Sequence, residues 1–274
     1  MMQVLRGKRA LVTGAASGIG RAIALALGRE GADLYLLDID EENLALTARA
    51  ADQLGVSVAT VVCDLAQPAR IRAAVGALIA GWGRLNILVN SAGIAYYGPT
   101  HQMTTQQLNR LLSVNLLAPI QLVHELLPLL AAEEEAHILN VSSIFGLVPM
   151  RKGAAYQTSK FGLVGFSAAL RAEYGRRSFG VTALCPGFVR TPMLETYAMG
   201  SGEDERHAIP RWASMDADKV AARAILAIRK NEGLVVMHPL ARVLWRLARL
   251  SPGLIDWVTR QGWRRRKPLQ IPPR

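Results

Sequence analysis

Cysteine is scarce in this chain of 274 residues, in which only Cys63 and Cys185 occur. Both lie in apolar, strand-like runs, so we expect no disulfide framework and a reducing, cytoplasmic setting. Long apolar segments are also scarce: we find no clean span of about 20 apolar residues, and the sequence predicts no transmembrane helix. The charged start at residues 6–9 runs directly into a strand and a glycine-rich turn, which indicates that no signal peptide is present.

Acidic residues are almost missing from the carboxyl-terminal part of the chain. Residues 239–274 contain nine Lys and Arg but one acid, Asp256, which gives this segment a net charge of +8. The whole chain carries +11, so residues 1–238 account for the remaining +3. We therefore expect one large catalytic domain over residues 1–238, followed by a basic extension over residues 239–274.

Short apolar runs alternate with helix-length segments along the first domain. The runs that predict strands are residues 9–13, 33–37, 56–63, 85–89, 137–141, 181–185 and 234–237. The segments that predict helices are residues 20–31, 41–54, 68–83, 105–130, 154–175 and 216–231. Near-continuous apolar strands are typical of a sheet buried on both faces. The alternation predicts an α/β, doubly wound Rossmann fold, with a seven-stranded parallel sheet and helices on both faces.

A glycine-rich turn at residues 13–20 joins the first predicted strand to the first predicted helix. Gly14, Gly18 and Gly20 would allow a tight turn and let backbone N–H groups approach a pyrophosphate at the positive end of that helix. The alternative is a flexible loop, which the strand before the turn and the helix after it disfavour. The sequence therefore predicts a dinucleotide-binding turn.

The end of the second predicted strand indicates which dinucleotide binds. Asp38 lies eighteen residues past Gly20, where a carboxylate can accept hydrogen bonds from the adenosine ribose hydroxyls and would repel a 2′-phosphate. Neither Ser17 nor Ile39 supplies a cation for that phosphate. We therefore predict NAD, with NADP as the less favoured alternative.

Polar residues near other strand ends have two interpretations each. Asp64 follows the third run and could bind the adenine amino group, or it could cap the helix after Pro68. Small residues at 90–93, after the fourth run, would leave room for the adenosine side of a cofactor. Asn115 lies among apolar residues of a predicted helix, and its local sequence favours a satisfied core amide.

A hydroxyl pair, Ser142 and Ser143, follows the fifth predicted strand, and Tyr156 and Lys160 follow in the next predicted helix. Lys160 at i+4 projects from the same helix face as Tyr156. A nearby ammonium favours the phenolate and would lower the pKa of Tyr156, which suits a group that exchanges a proton near neutral pH. The same pair could also be an ordinary surface pair.

The order and spacing of these motifs resemble those of the short-chain dehydrogenase/reductase family over about residues 8–238. The motifs are residues 13–20, residues 90–93, Asn115, Ser143, Tyr156 with Lys160, and residues 186–191. Two positions depart from the family pattern, because Ser91 stands where a second Asn is common and Asn86 where an Asp is common. Neither position belongs to the catalytic set.

The resemblance implies a catalytic role for four residues. Tyr156 would be the general acid/base, and Lys160 would bind the nicotinamide ribose and lower the pKa of Tyr156, helped by the positive charge of oxidised nicotinamide. Ser143 would hydrogen-bond the substrate oxygen, with Ser142 as the alternative. Asn115 would hold a water that links Lys160 to solvent.

The resemblance also implies a set of cofactor contacts and no metal. Val189 and Thr191 would hold the nicotinamide end. The full set is Gly14, Ser17, Gly18, Ile19, Gly20, Asp38, Asp64, Leu65, Asn90, Ala92, Gly93, Tyr156, Lys160, Pro186, Gly187, Val189 and Thr191.

Substrate choice is expected to depend on a lid over about residues 191–215 and on residues beside the catalytic Ser and Tyr. The candidate substrate contacts are Ser143, Ile144, Phe145, Met150, Met193 and Tyr197, with Tyr96 and Tyr97 as further walls. They favour a moderately large, apolar alcohol or ketone such as a lipid or steroid. The alternatives are a small-alcohol or diol dehydrogenase of the same family, and a nucleotide-binding scaffold without turnover.

The extension combines apolar and basic residues at helical spacing. Its apolar positions are Leu240, Val243, Leu244, Leu247 and Leu250, and Trp257 and Trp263 follow before the basic run at residues 264–267. Such a helix can lie in an anionic membrane surface, or it can pack on its own domain or a neighbouring subunit. We do not expect nucleic-acid binding. The resemblance implies a homodimer or homotetramer, with the helices that contain Asn115 and Tyr156 at the main interface.

Overall fold

The computed structural model describes residues 2–149, 152–176, 178–193, 198–199, 214–251 and 253. The main sheet of this described part contains seven parallel strands: β1 (Arg9–Thr13), β2 (Asp33–Asp38), β3 (Val58–Val62), β4 (Ile87–Asn90), β5 (Ala136–Val141), β6 (Phe179–Cys185) and β7 (Leu234–Val236). They lie in the order β7-β6-β5-β4-β1-β2-β3. The order reverses between β1 and β4, which opens a crevice at the carboxyl ends of the central strands. The predicted fold class is confirmed.

Helices cover both faces of this sheet. They are α1 (Gly18–Arg29), α2 (Glu41–Asp52), α3 (Pro68–Trp82), α4 (Thr105–Leu112), α5 (Ala118–Ala132), α6 (Ala154–Tyr174), α7 (Ala217–Lys230) and α8 (Pro239–Leu250). Neighbouring strand residues alternate between the faces, so Val12 packs in the core under α1 and α7, whereas Leu11 packs in the core under α3 and α5. Burial on both faces explains the near-continuous apolar runs.

The predicted single helix over residues 105–130 is interrupted in the structure. A π-helical turn, Ser113–Leu117, separates α4 from α5. Such turns insert extra backbone into a helix and are frequent at functional sites. This turn contains Asn115, whose position is therefore set by an irregular backbone that apolar periodicity does not reveal.

One stretch within the described residues, Thr105–Ala132, has the length and composition of a membrane-crossing helix and contains a window with a mean hydropathy of 1.5. Leu122, Leu126 and Leu130 of this stretch pack fully buried against the sheet. A core helix of an α/β sheet passes the same composition test, so the finding does not by itself indicate a membrane span.

Two pairs of short strands lie outside the main sheet and flank its carboxyl-end crevice. Tyr96–Tyr97 pairs with Ala198–Met199, and Phe188–Val189 pairs with Ser214–Met215. The second pairing attaches the segment after β6 to the start of α7. Both cysteines are free and buried, which confirms the expected lack of a disulfide.

Candidate active site

A cleft of about 530 Å³ opens at the carboxyl ends of the strands. The glycine-rich turn borders it on one side, and the residues that follow β5 and begin α6 border it on the other. The predicted cofactor residues that line this cleft are Gly14, Ser17, Gly18, Ile19, Gly20, Asp38, Asp64, Leu65, Ala92, Gly93, Tyr156, Lys160, Pro186, Gly187, Val189 and Thr191. The structure therefore brings together residues that lie up to about 180 positions apart in the sequence.

The glycine-rich turn is packed too closely for side chains. A Cβ atom added at Gly20 would lie 2.0 Å from the backbone oxygen of Gly14. Gly18 has a φ of +53°, and a Cβ atom there would lie 3.0 Å from the Thr191 methyl group. The glycines thus hold the turn against the start of α1, whose first N–H groups have no partner within the helix.

Asp38 at the end of β2 is fixed in place beside this turn. Its Oδ2 accepts a hydrogen bond from the Ala16 N–H at 2.9 Å, and its Oδ1 accepts one from the Ile39 N–H at 2.7 Å. The carboxylate also lines the cleft. A fixed anion at this point is suited to accept hydroxyl donors and disfavours a second anion.

Asn90, a predicted cofactor contact, ends β4. Its side chain is buried and donates a hydrogen bond to Asn140 at 2.8 Å, and it is not part of the cleft lining. Thr13 instead positions the segment after β4, because its hydroxyl accepts hydrogen bonds from the N–H groups of Ser91 and Ala92 at 3.0 and 3.1 Å. The Asn90 side chain therefore supports the strand end, and its cofactor contact stays a prediction.

Asp64 meets a cation that the sequence did not indicate. Arg110 of α4 contacts the carboxylate at 3.2 and 3.4 Å, and both residues line the cleft. Burial alone would raise the pKa of Asp64, but hydrogen bonds from the Ala66 N–H, Gln67 and Arg110 outweigh it and hold that pKa below its ordinary value. The carboxylate is thus ionised near neutral pH and bonded to the loop ahead of α3.

The hydroxyl pair divides into two roles. Ser143 lines the cleft together with Tyr156, its side chain acts to lower the Tyr156 pKa, and its Oγ accepts a hydrogen bond from the Phe145 N–H at 3.2 Å. The Ser142 hydroxyl instead donates to the backbone oxygen of Lys160 at 2.9 Å. Of the two candidates, Ser143 is the one that the geometry pairs with the Tyr156 phenol.

Lys160 lies deep in the cleft, behind the Tyr156 ring. Its Nζ is 5.8 Å from the centroid of that ring and donates to the backbone oxygen of Val141 at 3.0 Å. Burial lowers the pKa of Lys160 to about 8. A small change in its surroundings can therefore change its charge near neutral pH.

The predicted lowering of the Tyr156 pKa does not occur in this arrangement. Burial penalises the phenolate and raises the pKa of Tyr156 above its ordinary value, while the hydrogen bond with Ser143 acts in the opposite direction. Cys185 lies behind both groups, and burial raises its own pKa to about 12. The Lys160 ammonium is not among the causes of this displacement, and the lowering expected with oxidised nicotinamide stays a prediction.

Asn115 holds the backbone beside the cleft. Its Oδ1 accepts from the Ile94 N–H at 2.8 Å, and its Nδ2 donates to the Ile94 oxygen at 2.8 Å and to Ser159 at 3.2 Å. The side chain is fully buried and is not part of the cleft lining. It is thus a satisfied core amide, and the π-helical turn places it where it fixes Ile94.

Aromatic and apolar residues form the wall beside Ser143. Phe145 packs edge-to-face on Phe188 with ring centroids 5.7 Å apart, and Met193 lines the same cleft. Ile144 is partly buried and packs beside Leu147 outside the lining, so its substrate contact stays a prediction. The predicted contacts Met150 and Tyr197 lie outside the described residues.

Comparison with known proteins identifies the family. Residues 8–200 match the short chain dehydrogenase family, and the chain belongs to it. The Mycobacterium tuberculosis protein SadH is 33% identical over 255 residues, which cover 91% of this chain and 92% of SadH. The chain is therefore an oxidoreductase by family.

Solved structures with the same fold contain either dinucleotide. A short chain dehydrogenase/reductase from Burkholderia phymatum, in complex with NAD, superposes with a TM-score of 0.81 at 25% identity and covers 99% of this chain and 100% of its own. A metagenomic short-chain oxidoreductase in complex with NADP superposes with a TM-score of 0.72 at 32% identity, covering 86% and 99%. Family membership thus does not determine which of the two cofactors this chain binds.

Proposed function

We propose that this protein transfers a hydride between NAD and a secondary alcohol or its ketone, with a moderately large, apolar substrate. The observation that carries the proposal is that Ser143, Tyr156 and Lys160 meet in the cleft that the glycine-rich turn and Asp38 border. A hydroxyl donor, a titratable phenol and a buried ammonium are the groups that a carbonyl reduction or alcohol oxidation requires.

The glycine-rich turn fits a dinucleotide. Its backbone packs so closely that a Cβ atom at Gly14 would lie 2.8 Å from backbone atoms of Ala92, and this leaves N–H groups at the start of α1 accessible to a pyrophosphate. Asp38 would accept the ribose hydroxyls, and Thr191 would contact the nicotinamide end. When bound, NAD supplies the hydride acceptor or donor.

The catalytic residues would handle the proton that accompanies the hydride. Tyr156 would exchange it with the substrate oxygen, and the Ser143 hydroxyl would hydrogen-bond that oxygen as charge develops on it. Burial alone leaves the phenol a weak acid. A charged Lys160, together with the positive charge of oxidised nicotinamide, would favour the phenolate and bring its pKa into a useful range.

The preference for NAD rests on charge. The cations among the described residues that line the cleft are Arg110, Lys152 and Lys160. None of the three belongs to the glycine-rich turn or to the end of β2, where Asp38 stands. A 2′-phosphate on the adenosine ribose would therefore meet an anion without a compensating cation.

The proposed size and polarity of the substrate are inferred from the residues that form the walls of the cleft. Phe145, Phe188 and Met193 present apolar surface beside Ser143, and Tyr96 is buried at the opposite rim. These walls favour an apolar alcohol or ketone of the size of a lipid or steroid fragment. A small-alcohol or diol dehydrogenase is the alternative within the family.

A panel of alcohols and ketones, assayed by cofactor absorbance with NAD and NADP side by side, tests the proposal. We expect kcat/KM to rise with alkyl chain length and to favour NAD. Asp38→Asn keeps an acceptor for the Ala16 N–H while removing the charge, and should shift the NADP-to-NAD ratio of kcat/KM about tenfold towards NADP. Asp33→Asn, at the other end of β2, is the matched control.

Three outcomes of this panel would contradict the proposal. A preference for small diols would contradict the proposed apolar substrate. An unchanged NADP-to-NAD ratio of kcat/KM in Asp38→Asn would contradict the proposed role of Asp38 in the NAD preference. Tight NAD binding without turnover on any compound would favour the nucleotide-binding scaffold.

The arrangement of the whole chain is part of the same proposal. We place the catalytic domain at residues 1–238, with a substrate lid over about residues 191–215 and an extension over residues 239–274. Leu117, two residues after Asn115, is 56% exposed, and Phe161 on α6 is 41% exposed. These exposed apolar side chains support a homodimer or homotetramer through the two helices. Light scattering that gave a stable monomer would contradict this assembly.

The location of the protein is proposed from its surface. We propose a cytoplasmic protein with peripheral membrane contact through the extension, because Val243 and Leu250 are 53% and 83% exposed on the basic helix α8. Trp257, Trp263 and residues 264–267 lie outside the described residues. Co-sedimentation with anionic liposomes tests the contact, which removal of residues 239–274 should abolish.

A further inference from the structure

A second pocket lies outside the cofactor cleft, where α8 packs against the edge strand β7. It has a volume of about 270 Å³ and is lined by Arg223, Glu232, Arg242, Trp245, Arg246 and the residues of β7. None of these residues lines the cofactor cleft. The pocket is therefore separate from the cofactor cleft, and its charged residues can be considered by themselves.

Positive charge exceeds negative charge in this pocket. Arg223 and Glu232 neutralise each other, because Nη2 of the arginine lies 2.5 Å from Oε2 of the glutamate. Arg242 and Arg246 have no carboxylate partner among the described residues. Two like charges that share a small pocket repel each other unless a counter-charge is present.

One of the two unpaired arginines, Arg242, is held in place by the sheet. Nη2 of Arg242 donates to the backbone oxygen of Val236 at 2.9 Å. Trp245, between the two in sequence, packs against the core cluster that contains Val236 and Leu147, which attaches α8 to the sheet. Arg242 and Arg246 at i and i+4 then face the same side of the helix.

A third arginine on the same helix has a different environment. The Arg249 guanidinium lies 5.7 Å from the centroid of the Trp245 ring, and Arg249 is not part of the pocket lining. It therefore carries the same charge on the same helix without contributing to the pocket. A comparison of Arg249 with the two pocket arginines can therefore distinguish binding in a defined site from general attraction of anions to a basic helix.

We propose that this pocket binds an anion of the phosphate class, with Arg242 and Arg246 as its principal donors. The planar guanidinium groups suit the paired oxygens of phosphate, and a phosphate monoester carries nearly two negative charges at neutral pH, which match the two unpaired cations. The phosphate can belong to a soluble compound or to a phospholipid headgroup, because both present the same oxygens.

Calorimetry on the full-length protein tests the site at constant ionic strength. Inorganic phosphate and glycerol 3-phosphate are the soluble probes, and phosphatidylcholine vesicles with and without phosphatidic acid are the membrane probes. Arg246→Gln should weaken the binding of each responsive probe about tenfold or more, because a charge-assisted hydrogen bond is lost. Arg242→Gln should act in the same direction, and Arg249→Gln should leave binding nearly unchanged.

The probes distinguish the two sources of phosphate. Binding of the soluble probes alone supports a soluble ligand, whereas vesicle binding that depends on phosphatidic acid and on Arg246 supports a headgroup. Equal weakening by Arg246→Gln and Arg249→Gln would overturn the proposal in favour of diffuse attraction, and no binding of any probe would overturn it as well. None of these readouts depends on oxidoreductase turnover.

Discussion

The two sides of the catalytic cleft are built in different ways. On the side of the glycine-rich turn, the decisive feature is the absence of side chains, because the backbone atoms of Gly14 and Gly20 approach more closely than any Cβ atom would permit. On the side of α6, the decisive feature is protonation, because desolvation displaces the pKa values of the partly buried Tyr156 and the buried Lys160.

This difference predicts two kinds of sensitivity. The glycine side should respond to added atoms and tolerate changes of pH, since it acts through backbone N–H groups. The α6 side should respond to the loss of one hydroxyl or ammonium and to pH, since it acts through proton exchange. Variants on each side can therefore separate cofactor binding from chemistry.

The largest effect is expected from the loss of the Tyr156 hydroxyl. Tyr156→Phe should reduce kcat by about 10² to 10⁴, the contribution typical of a positioned acid/base, while NAD affinity stays nearly unchanged. Steady-state kinetics and calorimetry with NAD measure the two quantities. Tyr35→Phe removes a hydroxyl that donates to the Ala74 oxygen outside the cleft, and is the control. Unchanged turnover in Tyr156→Phe would remove the proposed acid/base from the mechanism.

The next effect is a pH dependence of stability that arises from Lys160. Its pKa is about 8 in the folded protein and about 10.4 in an unfolded chain, so the folded state releases the proton first as the pH rises. Below pH 8 both states hold the proton, and the cost of burying the ammonium is fully present. Between about pH 8 and 10 the unfolded state binds more protons, so stability rises with pH.

The size of this effect follows from the displacement of the pKa. At about 1.4 kcal/mol for each unit of pKa, the full gain is on the order of 3 kcal/mol. Denaturant unfolding of the wild type and of Lys160→Met at several pH values measures it, with Lys219→Met on the surface of α7 as the control. Parallel pH profiles for the wild type and Lys160→Met would show that burial of Lys160 carries no such cost.

Sequence reasoning succeeded where spacing along the chain determines geometry. Apolar runs and glycine positions predicted the parallel sheet and the turn at its first strand, because local backbone requirements fix both. The i,i+4 spacing of Tyr156 and Lys160 likewise needed only a helix, and α6 supplies it. The family resemblance then selected Ser143, which lines the same cleft as Tyr156.

Sequence reasoning failed where tertiary packing determines the contacts of a side chain. The side-chain contacts of Asn90 with Asn140 and of Ile144 with Leu147 were not foreseen, because they depend on residues from other elements or on how the chain turns after β5. Arg110 was missed because it meets Asp64 from 46 residues away. The raised pKa of Tyr156 was not predicted, because spacing reveals the neighbouring ammonium and does not reveal the desolvation of the partly buried phenol.

The smallest of the three effects tests the glycine side of the comparison. In Gly20→Ala the new Cβ atom would lie 2.0 Å from the Gly14 oxygen and 2.6 Å from its carbonyl carbon, so the turn itself must shift. We expect a loss of about 1–3 kcal/mol of unfolding free energy, as for other overpacked sites, and weaker NAD binding. Turnover at saturating NAD should keep its pH profile, because Tyr156 and Lys160 are unchanged.

The control for this variant is Gly76→Ala in α3, where an added Cβ atom meets nothing within 4 Å. That substitution should raise stability by about 0.5–1 kcal/mol, because alanine is favoured over glycine within a helix, and should leave NAD affinity unchanged. Unfolding and NAD titration of both variants provide the comparison. A Gly20→Ala protein with normal NAD affinity would mean that the close backbone packing serves the fold alone. A changed pH profile would mean that the two sides of the cleft are coupled through the cofactor.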